Sequence, residues 1–485
     1  MSIPQKANLR QTIFTATVVA LSACASIAQG SRPTAITHAR IVTMEGKTIE
    51  MGTVLIRHGK IQTVGANVKV PPGARIIDAK GGTVMPGLVS AYSRAGLSGA
   101  RKATTTITIG RRRRGRRPVG GARQSTGPGR NSAATKVALA IYPRQKVFHE
   151  LLQSGVTTIA LAPTGTGFPG QGALLDLTGK TRDKLVVDDT AFLAVNPSNN
   201  TKTKKLFKET FEKAKKLVAE RKKPKTPVKP VKKTPAKTPA KKPTEKKGTG
   251  TPPKPVPTPP KPKPKPKPKP KPSDGGKTGA KATAKTPAKK PPAKKRKDPN
   301  MEVLADLLEG KQRAFIGLSS ATDVLHYIDA VGDTRFTATI LATSMSPNRG
   351  TLDLVLDKVK SLKAAILMNP KLATKPYTDH LTNPAATLHK AGIKIGFIVG
   401  DSKQNTKTLF TNLIDLVRHG LDPDVALKAV TIVPAEMLGI AKDVGSIKVG
   451  KDANLILFDG DPLDPITTLK KVWYKGQVVE KEKER

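Results

Sequence analysis

The sequence of 485 residues contains one cysteine, Cys24, and only 4% aromatic residues. A single cysteine cannot close a disulfide within the chain, and it cannot supply a zinc site built from several cysteines. No apolar run approaches the ~20 residues that a membrane-spanning helix requires, so no such helix is predicted. Acidic residues are scarce beside basic ones: 36 Asp and Glu against 86 Lys and Arg give a net charge of +50.

The excess positive charge is concentrated in two inserts. Residues 201–300 hold 35 Lys and Arg against 6 acids, and residues 101–130 hold ten basic residues and no acid. Most of the first insert is low-complexity Lys, Pro, Thr and Ala, with Pro at every second position from 260 to 272. Because residues 221–299 have little apolar surface to bury, and their prolines prevent helix and sheet, we predict an extended, disordered tract there, in a basic, disordered insert over 201–300. The segment just before the tract, 202–220, has the spacing of a basic helix with a sparse apolar face.

The first 30 residues have the pattern of a signal peptide. Basic residues precede an apolar segment, 13–23, and a small-residue cleavage site ends at Ala28. We therefore expect export to the periplasm, the cell envelope or the extracellular space. Residues 21–24 also resemble a lipobox, which would place a lipid anchor on Cys24 as the alternative to cleavage after Ala28.

The two ends of the chain have a different sequence pattern from its middle. Residues 31–85 and 441–485 consist of short β-rich runs separated by Gly and Pro, which predicts antiparallel strands that pack together into one small β-sandwich. Residues 86–200 and 301–440 instead alternate apolar strands with segments of helical spacing. Without the insert this region has about 255 positions, close to the ~250 of a (β/α)8 TIM barrel.

Several segments resemble the amidohydrolase superfamily, especially its imidazolonepropionase-like or dihydroorotase-like branch. The matching motifs stand in the order found in that family, at residues 52–56, 59–65, 77–82, 84–88, 155–163, 427–439 and 444–455. The resemblance implies a (β/α)8 barrel beside a small β-sandwich built from both termini. It also implies a hydrolase that acts on non-peptide carbon–nitrogen bonds with the help of zinc or another divalent metal.

The metal-binding positions implied by the resemblance hold unsuitable residues. The family places a His-x-His pair after the motif at 84–88, and here Tyr92 and Arg94 stand in its place; Gly317 stands where a later histidine is expected. A phenol is a poor ligand for zinc, and a guanidinium repels a cation. We therefore interpret Tyr92, Arg94 and Gly317 as degenerate metal positions, and we expect no cofactor.

Asp401 is the candidate catalytic residue, because it stands where the family carries its catalytic acid. It would act as a general base; the alternative is a helix cap or an acid in a loop. The seven histidines stand in the predicted β domain, in helical segments or in a loop, without a paired motif: His38, His58, His149, His326, His380, His389 and His419.

The basic inserts predict binding of polyanions. The loop after the first barrel strand contains six candidate binding residues: Arg111, Arg112, Arg113, Arg114, Arg116 and Arg117. Arginine binds phosphate, sulfate and carboxylate in a bidentate manner, and the Lys/Pro tract attracts any polyanion through counterion release. The tract lacks interleaved aromatic residues for base stacking, so sequence-specific recognition is not indicated. The alternative is a solvated spacer without a ligand.

Together these observations predict an exported amidohydrolase-like protein, deficient in metal and impaired in catalysis. Its basic inserts would bind an anionic envelope polymer, lipid headgroups or nucleic acid. The alternative is an active hydrolase of non-peptide carbon–nitrogen bonds with a degenerate site, in which case it would need zinc or another divalent metal.

Overall fold

The computed structural model describes six stretches of the chain: residues 32–97, 129–198, 200–223, 297–343, 352–375 and 378–480. All of them belong to one compact unit, and a second unit, 224–296, lies outside the described residues. The predicted signal peptide, the six loop arginines and the Lys/Pro tract also lie outside. Among the helices that can be described, none has the length and apolarity needed to cross a membrane.

The strands of the described part, in chain order, are β1 (Thr34–Ile41), β2 (Ile49–Arg57), β3 (Lys60–Gly65), β4 (Arg75–Asp78), β5 (Thr83–Pro86), β6 (Leu88–Ser93), β7 (Arg130–Asn131), β8 (Val156–Leu161), β9 (Gly167–Leu175), β10 (Val186–Asn196), β11 (Ala314–Gly317), β12 (Ala338–Ala342), β13 (Ala365–Met368), β14 (Ala373–Thr374), β15 (Leu381–Thr382), β16 (Ile395–Phe397), β17 (Leu455–Phe458), β18 (Leu469–Tyr474) and β19 (Gln477–Val478).

The α-helices of the same part are α1 (Lys146–Gln153), α2 (Arg182–Leu185), α3 (Thr201–Lys222), α4 (Pro299–Leu308), α5 (Ala321–Val331), α6 (Leu356–Ser361), α7 (Pro384–Lys390), α8 (Lys403–Arg418), α9 (Pro423–Lys428) and α10 (Ile432–Leu438). Two 3-10 helices, Val137–Ala140 and Leu352–Val355, precede α1 and α6.

The two ends of the chain form one sheet, as their shared pattern of short β-rich runs predicts. Its strand order is β19-β18-β17-β5-β1-β2-β3, with β4 beside β1. The joint between the ends is the antiparallel ladder of β17 with β5, in which Leu455 lies opposite Pro86. Apolar side chains of both ends share one core, which includes Ile36, Ile56 and the fully buried Trp473.

Two details of this predicted β domain differ in the structure. The strands are not all antiparallel, because β4 and β5 both run parallel to β1. All eight strands belong to one hydrogen-bonded sheet, since β1 pairs with β2 as well as with β4 and β5. A sandwich of two separate sheets is therefore not confirmed.

The middle of the chain forms a second sheet, ordered β6-β8-β9-β10-β11-β12-β13-β16, with β7 beside β9. Strand order follows chain order throughout, as in a barrel; a doubly wound sheet would reverse direction at a switch point. Seven strands run parallel, whereas β9 is antiparallel to β8 and β10, and β7 runs parallel to β9. The sheet is therefore like that of a TIM barrel but not all parallel, because the link from Leu161 to Gly167 is too short for a crossover helix and makes a hairpin.

The sheet curls so that its first and last strands, β6 and β16, come close together. No ladder between them is found in the described residues; the turn after α9 bridges them instead. The backbone carbonyl of Ala429 accepts from the Phe397 N–H at 2.7 Å, and that of Val430 accepts from the Val89 N–H at 3.0 Å. The curled sheet encloses apolar side chains, among them the stacked rings of Phe192 and Phe315, whose centroids lie 4.2 Å apart.

Helix α10 closes the end of the barrel at which the parallel strands begin. Met437 of this helix belongs to the enclosed apolar cluster. Lys394, just before β16, donates to the Glu436 carboxylate at 2.7 Å, and the Arg313 guanidinium, just before β11, donates to the Glu436 carbonyl at 3.3 Å. The open end of the barrel, called the mouth here, is therefore the end at which the parallel strands finish.

Several glycines of the motifs that resemble the amidohydrolases are contact points of this scaffold. A Cβ atom on Gly87 would lie 2.3 Å from both Cγ2 and Oγ1 of Thr157, which is a residue of β8. A Cβ atom on Gly445 would lie 2.9 Å from the Cβ of Ala435 in α10. Residues that are far apart in sequence are thus in direct contact, so these motifs preserve packing.

The Lys/Pro insert leaves the fold at a group of ion pairs. Arg221, near the end of α3, pairs with three acids of and beside α4: Glu302, Asp306 at 2.8 Å and Glu309 at 3.1 Å. Hydrogen bonding from Arg221 lowers the pKa of Glu302 below its ordinary value. Glu302 also pairs with Lys297 at 3.5 Å, where the chain re-enters the fold. Both ends of the insert therefore lie at one place on the folded unit.

The contact between Gly87 and Thr157 yields a stability prediction. Gly87→Ala forces a methyl group against a buried side chain, and we expect a loss of about 1–3 kcal/mol in the free energy of unfolding, the range for overpacked cores. The matched control is Gly65→Ala in β3, where the nearest atom to a new Cβ is Val68 Cγ2 at 3.6 Å. Urea unfolding compares the two variants, and equal stabilities would contradict the proposed contact.

Candidate functional site

The mouth of the barrel is lined by residues that end the parallel strands. Catalytic groups of barrel enzymes lie at this end, because the loops that follow the strands converge there. The predicted positions Tyr92, Arg94, Gly317 and Asp401 all lie at strand ends on this side. The structure therefore places all four predicted positions at the mouth.

Asp401 is hydrogen-bonded to the first strand of the barrel. Its Oδ1 accepts from the Ser93 hydroxyl at 2.8 Å and from the Arg94 backbone N–H at 3.0 Å. The Ser93 hydroxyl oxygen in turn accepts from the Ala95 N–H at 3.1 Å, and Ser93 is fully buried. One carboxylate oxygen thus joins the segment after β16 to the end of β6, on the side opposite to α10.

Tyr92 and Arg94 contact each other. The Arg94 guanidinium donates to the Tyr92 hydroxyl oxygen at 2.9 Å, and its central carbon lies 5.8 Å from the centroid of the Tyr92 ring. Tyr92 packs against the apolar cluster inside the barrel, whereas Arg94 is exposed. At the two positions predicted to be degenerate metal positions, the structure therefore has an aromatic ring and a cation that interact through a hydrogen bond.

Gly317 lies at the end of β11 and offers no side chain to the mouth. A Cβ atom there would lie 2.9 Å from the Asn196 side-chain oxygen, so Asn196 fills the adjacent space. The amide nitrogen of Asn196 donates to the Gly165 carbonyl at 2.8 Å, which links the end of β10 to the loop after β8. The sequence analysis did not identify Ser93 or Asn196 as residues of the site. The position of Ser93 between Tyr92 and Arg94 was the signal that could have identified it.

The side chains described at the mouth are poor ligands for a divalent cation. Zinc sites use imidazole, thiolate or carboxylate ligands, whereas this mouth presents a phenol, a guanidinium, a glycine and one carboxylate already bonded to two donors. A guanidinium keeps its positive charge at all ordinary pH values and repels a cation. Within the described ranges, no three His, Cys, Asp or Glu side chains come together as a metal-binding group would require.

The histidines lie elsewhere, as their sequence contexts predict. All seven are among the described residues: His38 and His58 are in the β domain, His149, His326 and His389 are in α1, α5 and α7, His380 is in a loop, and His419 follows α8. His38 pairs with Asp78 at 3.1 Å, on the surface.

A cavity of about 1410 Å³ lies on the outer wall of the barrel, between α1, α8 and the segment that follows β17. Phe410 and Phe458 line it and meet edge to face, with ring centroids 5.1 Å apart. The residues that line it do not include Tyr92, Arg94, Gly317 or Asp401. The cavity is therefore separate from the mouth, and no motif in the sequence indicated it.

The Arg-rich loop is attached beside the mouth. The residues of the loop that carry the six arginines lie outside the described part, but both flanks are placed. Leu97 follows the end of β6 and bridges to Ile141, and the Arg130 N–H donates to the Thr166 carbonyl at 3.4 Å, just after β8. Both attachment points therefore lie near strand ends of the mouth.

Two substitutions test whether Asp401 links the two strands or is only an acidic residue in a loop. Asp401→Ala removes the acceptor for two donors and should lower the free energy of unfolding by about 1–3 kcal/mol. Asp401→Asn keeps an oxygen at that position, so we expect a much smaller loss. Urea unfolding of both variants is the measurement, and equal effects on stability would contradict the link.

Residues 305–480 match a model of the amidohydrolase family. The chain is 40% identical over 58 residues to the amidohydrolase tasK of Hapsidospora irregularis, which covers 12% of this chain and 6% of that protein. It is 31% identical over 81 residues to the imidazolonepropionase of Thermoplasma volcanium, which covers 16% of this chain and 20% of the relative. The chain thus matches only a small part of the length of these two curated relatives.

The fold is similar to that of a solved amidohydrolase of Thermotoga maritima. The TM-score is 0.63 at 20% sequence identity, and the comparison covers 92% of this chain and 100% of that one. At this identity the likeness concerns the fold alone. The motifs at both ends, the family match over residues 305–480 and the shared fold make this chain similar to the amidohydrolases.

Proposed function

We propose that this protein is an exported member of the superfamily that has lost metal-dependent hydrolysis and serves as a binding protein. Its basic inserts would hold it to polyanions or to other components of the cell envelope. The observation that carries the proposal is the set of contacts at the mouth. Tyr92 and Arg94 bond to each other, and Asp401 accepts from Ser93 and from the Arg94 backbone.

The residues at the mouth are poorly suited to metal-dependent hydrolysis. In metal-dependent hydrolysis the ion lowers the pKa of a bound water and polarises the scissile carbonyl. Arg94 places a positive charge at a position where that ion would need a ligand. Asp401 could still act as a general base in an active hydrolase of carbon–nitrogen bonds, which is the alternative function. Its Oδ1, however, is already committed to two donors from the first strand.

The argument for polyanion binding rests on charge and on attachment. The six loop arginines, Arg111 to Arg114, Arg116 and Arg117, can hold phosphate, sulfate or carboxylate groups, and the Lys/Pro tract supplies a high density of cations. The flanks of the Arg-rich loop lie beside the mouth. Anionic envelope polymers, lipid headgroups and nucleic acid share the chemistry that these inserts would bind. A lipid anchor at Cys24 would keep the protein at the envelope.

Deleting residues 224–296 tests the proposal. Because Arg221 and Lys297 both pair with Glu302, a short Gly/Ser link can join the two ends without strain on the fold. We expect the deletion variant to elute from immobilised heparin at a much lower salt concentration than the full chain, since counterion release scales with the number of contacts.

The control for the deletion keeps the length of the insert and removes charge only. In this variant the lysines that alternate with proline between 260 and 272 become glutamine. We expect an intermediate elution position. Retention that is unchanged in both variants would contradict binding through the insert. An amidase activity lost on chelation would instead support the alternative function.

A further inference from the structure

Helix α3 carries a charge distribution that its packing does not explain. Its buried side holds Phe207 and Phe211, together with Thr203, Thr210 and Ala214. Phe207 packs against Phe168 of β9 at 4.7 Å between ring centroids, and Phe211 stacks on Phe336 at 5.7 Å. These contacts fix the rotation of the helix, so the positions of its exposed lysines are fixed as well. The basic helix predicted at 202–220 is present as α3, but it belongs to the folded unit and not to a disordered insert that begins at 201.

The exposed surface of α3 divides into two flanks of different charge. At about 100° per residue, five lysines and one acid share an arc of roughly 120°; these are Lys205, Lys208, Glu212, Lys215, Lys216 and Lys222. This set is named the lysine flank. The other flank holds two lysines and two acids: Lys202, Lys213, Glu209 and Glu220. One flank is therefore strongly positive, and the other is balanced.

Few of these charges are neutralised by neighbours. In the described part of the chain, the ion pairs of α3 are Lys204 with Asp329 at 3.0 Å, Lys205 with Glu209 at 3.8 Å, and the group around Arg221. Lys208, Lys215 and Lys222 stand at intervals of seven residues, which places them about 10.5 Å apart in one row along the helix. The row is straight and is held on a rigid element.

A straight row of exposed cations fits a linear polymer better than a membrane surface. A helix that lies in a membrane interface needs an exposed apolar face, and the apolar face of α3 is buried in the fold. A polymer with closely spaced phosphate or sulfate groups can instead follow the row and contact successive lysines. Because the helix already orders these lysines, binding costs less conformational entropy than it does on an unstructured tract.

We propose that the lysine flank of α3 is a binding surface for a linear polyanion. The proposal rests on the proposed function, since it assigns part of that polyanion binding to the folded unit. A bound polymer would follow the helix over the row Lys222, Lys215 and Lys208. The adjacent flank, with its balanced charge, would not take part.

Two double substitutions in the full chain test the surface: Lys215→Gln with Lys222→Gln on the lysine flank, and Lys202→Gln with Lys213→Gln on the other flank. Both remove two positive charges from the same helix, so they differ only in placement. Fluorescence anisotropy with a short duplex DNA gives the slope of log Kobs against log salt concentration. We expect the first pair to make the slope less steep by up to about 2, because each lost phosphate contact is worth about 0.9.

The second pair should leave the slope nearly unchanged, and circular dichroism checks that α3 stays helical in both. Equal slopes for the two pairs of substitutions would overturn the proposal that the lysine flank binds the polymer, while leaving the proposed function intact. A full chain with no salt-dependent binding at all would overturn both. Binding to vesicles of anionic lipid, without binding to duplex DNA or heparin, would also overturn the proposal, because it would assign the surface to a membrane.

Discussion

The closure of the barrel is the constraint on which the rest of this structure depends. The curled sheet begins at β6 and ends at β16, and the two strands share no ladder within the described residues. They are held instead by backbone bonds through Ala429 and Val430 and, at the mouth, by the hydrogen bonds from Ser93 and Arg94 to Asp401. Asp401 thus joins the two ends of the curled sheet, and its Oδ1 accepts hydrogen bonds from two donors of the first strand.

The motifs that resemble the amidohydrolases contain glycines that pack against one another across the fold. Gly87 is in contact with Thr157, and Gly445 with Ala435, so each motif glycine meets another motif residue across the fold. Tyr92 and Arg94 contact each other instead, and Gly317 lies beside Asn196. Packing contacts between motifs can therefore keep a scaffold recognisable independently of the residues at its mouth.

The sequence was sufficient to predict the two-sheet plan, the union of both chain ends and the strand-end position of Asp401, because apolar periodicity and motif order report those features directly. It did not reveal β9, since a strand rich in glycine resembles a loop; a Cβ atom on Gly172 would meet the Phe192 ring at 2.4 Å, which explains the glycine only once the packing is known. The bond from Ser93 to Asp401 spans 308 positions, and no local pattern reports such a contact.

The metal content of the protein tests the central claim most directly. The full chain is exposed to zinc, dialysed against buffer without metal and analysed for bound divalent ions, beside Asp401→Ala and Arg94→Ala variants. The contacts at the mouth predict far less than one ion per chain, with no difference among the three proteins. About one ion per full-length chain, lost in the Asp401 variant, would contradict the account, since it would show that the carboxylate still serves a metal.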